Sequence, residues 1–238
     1  MVIAVPVVGK QKSVDICKAF IEGAPKTTQG RVFYGVNDSN VMEWDIARKT
    51  GTDWFYIDNS FFDSTRGVYF RVTKNCVQIN PRGHLSDGKR FAALGLEIKP
   101  WQVHPDGHYL VIEQSPDFMR NVAQEPKWFD ETVDWCRDTG RRTIIRRWSP
   151  NKPKQAVTLK EAMQGAKAVV THSSAAAVTA LLEGVPAIVE PMSALAFTTC
   201  SPKAENDERL WLMQVLADAQ FTLDEIRSGK AWRWLNKS

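Results

Sequence analysis

The chain has 238 residues, is 43% apolar and 24% charged, and carries a formal net charge of +4. No apolar run approaches the ~20 residues of a membrane helix, and no basic stretch followed by a long apolar one opens the sequence, so neither a membrane span nor a secretory leader is expected. Cys17, Cys76, Cys136 and Cys200 lie far apart without metal-ligand spacing, which points to reduced thiols in a cytoplasmic protein and to no metal site. The mild basic excess permits a polyanionic partner without demanding one.

Val2 to Val8 reads as a first strand. Ser13 to Ile21, apolar at Val14, Ile16, Cys17 and Phe20, reads as a helix that Ser13 would cap. Gly9-Lys10 lacks the upstream glycine of a phosphate-binding loop. A strand over Arg31–Val36 and a helix over 39–49 follow, and a third strand, Trp54–Ile57, runs into Asp58. Open α/β sheets place catalytic side chains at such a carboxyl end, although an Asx turn that simply ends the strand also suits the position. In the next strand Tyr69, Arg71 and Thr73 share one face, and Val68, Phe70 and Val72 the other. Arg66, Arg71, Lys74, Arg82, Lys89 and Arg90 stand against the single acid Asp87, giving an exposed basic surface that is solvated by default and able to contact phosphates.

Turn formers over 100–107 mark a boundary, dividing the chain into an N-terminal domain at 1–104 and a C-terminal domain at 105–238. The second half restarts the pattern with a strand at His108–Glu113 and a polar loop at Gln114 and Ser115. A helix over 127–138 stops at Gly140, and a strand at Thr143–Ile145 runs into Arg146 and Arg147. Thr158-Leu-Lys-Glu161 is a capping box. Then come a strand at Ala168–Val170, the cluster Thr171-His172-Ser173-Ser174, an Ala- and Leu-rich helix closed by Gly184, and a strand at Ala187–Val189. Ser173 or Ser174 would cap that helix, and the same hydroxyls and N–H groups suit a phosphate equally well. Arg146 and Arg147, at another strand end of the same parallel sheet, would complement a diphosphate.

Thr171-His-Ser-Ser174 and Ala180-Leu-Leu-Glu-Gly-Val-Pro-Ala-Ile188 resemble the donor domain of GT-B glycosyltransferases, especially the capsule-type and sialyltransferase-like branches. There a strand ends in Ser-Ser and is followed by a helix and a Gly-x-Pro-hydrophobic strand. The chain departs from the pattern at Thr179, where an acid often stands, and at Trp148-Ser149-Pro150, where a His-Pro often follows. The resemblance implies an α/β fold of two Rossmann-like domains facing a cleft, with the acceptor at the first and a nucleotide-sugar donor at the second. A UDP-sugar is the expected donor, with no cofactor. The donor phosphate would lie on Ser173 and Ser174, with Arg146, Arg147, Gln114, Ser115, Thr171 and His172 around it, and Glu183 would serve the nucleotide.

Asp58 would be the base that takes the acceptor proton, and Asp58→Asn is expected to stay folded while losing turnover. The tail from Arg209 to Trp232 looks like phage-encoded proteins of the same architecture. Three readings compete. One is a transferase acting on hydroxymethylated bases of duplex phage DNA in the host cytoplasm, with the six cations on the duplex. Another is a transferase building surface polysaccharide, and the third a non-catalytic nucleotide- or nucleic-acid-binding module.

Overall fold

The structure is a computed structural model and describes residues 1–148, 157–197 and 206–236. Ser149, Pro150 and Cys200 lie outside these residues. In chain order the elements are β1 (Val2–Ala4), α1 (Gln11–Gly23), β2 (Gly30–Tyr34), α2 (Val41–Lys49), β3 (Trp54–Asn59), β4 (Tyr69–Lys74) and α3 (Lys89–Ala93). There follow β5 (His108–Ile112), α4 (Pro116–Phe118), a π-helical turn at Met119–Ala123, α5 (Trp128–Asp138), β6 (Thr143–Arg146) and α6 (Leu159–Met163). The last elements are β7 (Ala166–Thr171), α7 (Ala176–Leu182), β8 (Ala187–Val189), α8 (Asn206–Asp218), β9 (Gln220–Thr222), α9 (Leu223–Arg227) and α10 (Lys230–Leu235).

These form two compact units, one of residues 1–79 with 216–238 and the other of residues 80–215. The sequence reading instead divided the chain at 104/105 and kept the tail with the second half. Pairing of strands separates the two views: β9 adds to β4, with Phe70 opposite Phe221, and α9 and α10 pack against α1.

The first unit holds a five-stranded sheet in the order β1-β2-β3-β4-β9, parallel from β1 to β3 and antiparallel thereafter. Trp54 to Ile57 are buried without alternation, as expected of a strand covered on both faces. On one face Ile16, Cys17 and Phe20 of α1 meet Val32, Phe55, Ile57 and Val72. On the other, Trp44 of α2 lies edge-on to Phe33 and Trp54. Ser13 is not the cap of α1. It is buried inside the helix, accepting from Val7 N–H at 3.0 Å and donating to the Tyr34 carbonyl at 3.1 Å.

The second unit holds a wholly parallel sheet in the order β6-β5-β7-β8. Leu110, Ile112 and Val169 pack against Met163, Ala176, Ala180 and Val185. The expected capping box is present, with Glu161 N–H on Thr158 Oγ1 at 3.2 Å and Thr158 N–H on Glu161 Oε2 at 2.6 Å. Gly184 closes α7 in a Schellman arrangement: Val185 N–H reaches the Ala180 carbonyl at 2.8 Å and Gly184 N–H the Leu181 carbonyl at 3.3 Å.

Residues 99–102 are tied to this helix end, through Lys99 N–H on Leu182 O at 2.8 Å and Gln102 N–H on Gly184 O at 2.7 Å. Arg209 of α8, almost fully buried, stacks its guanidinium 4.2 Å from the Trp101 ring centroid and donates to the carbonyls of Leu181 and Lys99. Among the described residues no helix is long and apolar enough to cross a membrane.

Candidate functional site

Strand order decides where the second unit can bind a ligand. From β5 the chain crosses outward to β6, then returns past β5 to β7 and β8. Crossovers therefore run in opposite directions on either side of β5 and β7, and their carboxyl ends bound the crevice where open α/β sheets take ligands. β5 delivers Glu113, Gln114 and Ser115 to this edge; β7 delivers His172, Ser173 and Ser174; β8 delivers Glu190.

The loops are tied to one another by side chains. Gln114 Oε1 accepts from Ser173 N–H at 2.6 Å and lies 3.2 Å from Ser173 Oγ. Ser174 Oγ accepts from Ala176 N–H at 3.2 Å, its hydroxyl proton remaining available at a half-buried position. Ser115 Oγ is used as the cap of α4, accepting from Phe118 N–H at 3.2 Å. His172 is fully buried, with Nδ1 3.2 Å from Ser173 Oγ and Nε2 3.5 Å from Glu125 Oε2. Phe118 and Trp128 present their rings nearly perpendicular to the imidazole. Trp128 Nε1–H donates to Glu190 Oε1 at 2.7 Å, while Glu190 N–H donates to the His172 carbonyl at 3.0 Å. Burial pushes the His172 pKa below its ordinary value, against the opposing pull of the Glu125 and Glu190 carboxylates.

Arg147 reaches the same edge from β6, but β5 stands between β6 and β7. Its Nη1 pairs with Glu113 Oε1 at 3.1 Å and its guanidinium lies 4.5 Å from the Phe129 ring centroid. Arg146 donates to the Val157 carbonyl at 3.1 Å. Adjacent residues of one loop thus fasten the two expected phosphate elements, Glu113 holding Arg147 and Gln114 holding Ser173.

Four of the expected site residues have other partners in this structure. Thr171 belongs to β7, is fully buried, and spends its hydroxyl on the Ile112 carbonyl at 3.2 Å, so it cannot reach a ligand. Glu183 lies at the far end of α7, on the order of 10 Å from the serines at 1.5 Å of rise per residue, because a parallel crossover returns the chain to the opposite edge of the sheet. There it pairs with Lys99 and Lys160, both at 2.5 Å. Burial would raise its carboxyl pKa, but the two ammonium groups outweigh burial and hold it below the usual range.

Arg71 is not part of an exposed basic face: it is 7% exposed, its guanidinium 5.3 Å from the Phe61 ring centroid. β3 runs through Asp58 to Asn59, opposite Phe70, and sets Asp58 against Arg71. Asp58 Oδ2 accepts from Arg71 Nη2 at 2.5 Å and Oδ1 accepts from Asn59 N–H at 2.7 Å, so both oxygens of the expected base are engaged. Asp58→Asn would leave the buried guanidinium without its counter-charge and is therefore expected to cost stability.

The remaining cations are distributed between the units, Arg66 and Lys74 in the first and Arg82, Lys89 and Arg90 in the second. Lys74 is paired with Asp53 at 2.9 Å and Lys89 with Asp87 at 2.7 Å. No group of three His, Cys, Asp or Glu side chains among the described residues could hold a metal ion.

Sequence reasoning missed Glu125, Trp128 and Glu190. Glu190 was within reach of the rule that singled out Asp58, since it directly follows β8; Glu125 and Trp128 carry no local signal.

The fold is of the α/β class found in solved glycosyltransferases. Thermosulfurimonas dismutans KpsC, beta Kdo 2,4 transferase, superposes with a TM-score of 0.57 at 13% identity, over 93% of this chain and 91% of that one. Thermosulfurimonas dismutans KpsC, beta Kdo 2,7 transferase, superposes with a TM-score of 0.59 at 10% identity, over 97% of this chain and 99% of that one. At such identities the likeness is one of fold. No protein-family profile and no curated protein sequence matches the chain.

Proposed function

We propose that the protein is a glycosyltransferase that moves a sugar from a nucleotide-activated donor to a hydroxyl of a surface polysaccharide. The observation that carries the reading is the polar switch-point edge of the second unit, on a fold shared along nearly its whole length with two sugar transferases. The donor phosphate would take the Ser173 N–H and hydroxyl, displacing the Gln114 carboxamide oxygen that now occupies them, and the free hydroxyl proton of Ser174. Arg147, at the next strand end but one, would supply a cation after exchange of its Glu113 partner. Asp58 enters as the partner of Arg71 rather than as the base. A saccharide acceptor replaces DNA because the six cations that carried the DNA reading include a buried one and belong to two units.

Incubation with UDP-, GDP- and CMP-sugars, each with acidic oligosaccharides or with hydroxymethylated duplex DNA, tests this reading. Transfer to a saccharide is the expected result. Transfer to DNA would restore the DNA reading, and neither hydrolysis, transfer nor binding with any donor would leave a non-catalytic module. Ser174→Ala is expected to weaken donor binding by about 1.5 to 3 kcal/mol, the worth of a hydrogen bond to a charged group. Arg147→Ala should cost less, because its gain on the donor is offset by the lost Glu113 pair. Calorimetric titration of the donor into each variant checks the order, and an unchanged affinity in Ser174→Ala would remove that serine from the site.

A further inference from the structure

A hydroxyl has one proton to give, and Ser173 Oγ lies 3.2 Å from both Gln114 Oε1 and His172 Nδ1. The imidazole decides between them. In neutral His172 the tautomer that suits the Glu125 carboxylate carries its proton on Nε2, leaving Nδ1 a bare acceptor that draws the Ser173 proton inward. The opposite tautomer would set a bare Nε2 against a carboxylate. The imidazolium alone turns the Ser173 proton outward, toward the position that Gln114 Oε1 fills, without leaving a bare Nε2 beside the carboxylate: Nδ1–H faces Ser173, and the Nε2 proton faces Glu125 across a 3.5 Å contact that is charge-paired but not aligned as a hydrogen bond.

We infer that His172 and Glu125 form a proton-linked positioning pair: binding of the donor phosphate at Ser173 is accompanied by uptake of a proton on His172. This rests on the donor site proposed above. A phosphate oxygen in place of the Gln114 oxygen gains the Ser173 N–H, the outward Ser173 O–H and, behind them, a cation with no solvent around it. Among the described residues, the groups facing the imidazole are the Glu125 carboxylate before α5, the Glu190 carboxylate after β8, the Ser173 hydroxyl, and the uncharged rings of Phe118 in α4 and Trp128 in α5. Without the anion, burial holds the imidazole toward its neutral form. With the anion beside it, the protonated form is favoured. Affinity should therefore fall as pH rises through the value His172 has in the complex.

Calorimetric titrations of CMP, UDP and GDP near neutral pH, in buffers of different ionisation heat, read this directly. The nucleotide that binds is expected to bring in ~1 proton per site, seen as a slope of binding heat against buffer heat. His172→Gln keeps a polar side chain that cannot charge; it should bind about tenfold more weakly with the slope abolished. Glu125→Gln alters an exposed residue, so folding is not at stake, and it should move proton uptake to lower pH. Binding of nucleotide by the parent without a buffer-dependent heat, or an unchanged slope in Glu125→Gln, would overturn the linkage while leaving the donor site standing. Binding of none of the three would remove the donor site and the linkage together.

Discussion

Asp58→Ala is expected to cost the first unit about 3 kcal/mol, because it strands the Arg71 guanidinium inside the sheet without its carboxylate. The cross-strand register of β3 and β4 sets the two residues opposite each other, and Arg71 has little alternative, being 7% exposed with Nε already lacking a hydrogen-bond partner. Removing both charges should be milder than removing one. The double variant Asp58→Leu/Arg71→Met replaces the pair by apolar groups of similar volume and should recover a large part of the loss. Urea unfolding of the parent, Asp58→Ala and the double variant gives the three values. A loss in Asp58→Ala below about 1 kcal/mol, the scale of an exposed ion pair, would mean that solvent already serves Arg71. The cycle also separates structure from chemistry: a catalytic Asp58 would leave the recovered double variant stable but inactive.

Gly184→Ala is expected to destabilise the second unit by about 3 kcal/mol, through backbone strain and collision together. Gly184 holds φ at +76°, and a Cβ there would fall on the carbonyl oxygen of Pro100. That backbone cannot simply withdraw, since Lys99 and Gln102 hydrogen-bond to the end of α7 on either side of it and Arg209 holds the Lys99 carbonyl. Gly140 makes the internal control. It also has a positive φ, +72°, but its added Cβ would meet nothing within 4 Å. Gly140→Ala should therefore cost only the strain of the left-handed backbone, about 1 kcal/mol. Thermal unfolding of the two variants compares them, and equal losses would show that the approach of Pro100 contributes nothing.

What the sequence determined by itself was local. Apolar runs placed most strands, and caps that act over four or five residues placed the start of α6, at Thr158, and the close of α7, at Gly184, whereas α7 begins after Ala175 with neither Ser173 nor Ser174 as its cap. The strand–loop–helix–strand run from β7 to β8 was legible for the same reason, and with it Ser173 and Ser174 at a strand's carboxyl end.

Tertiary structure decided which ends meet. Gln114 and Ser173 touch because β5 and β7 are neighbours, and Arg147 stands off because β6 lies on the other side of β5. The order β6-β5-β7-β8 is a matter of which crossover goes which way, and hydrophobic periodicity carries no trace of it. Burial of Arg71 was equally hidden, since alternation along β4 separates two faces without saying that helices or loops cover both. Glu125 reaches His172 from a loop between two helical turns, and β9 joins β4 from the opposite end of the chain. Such contacts are set by the packing of whole elements, where the energy of burying apolar faces chooses among arrangements that the local signals leave equal.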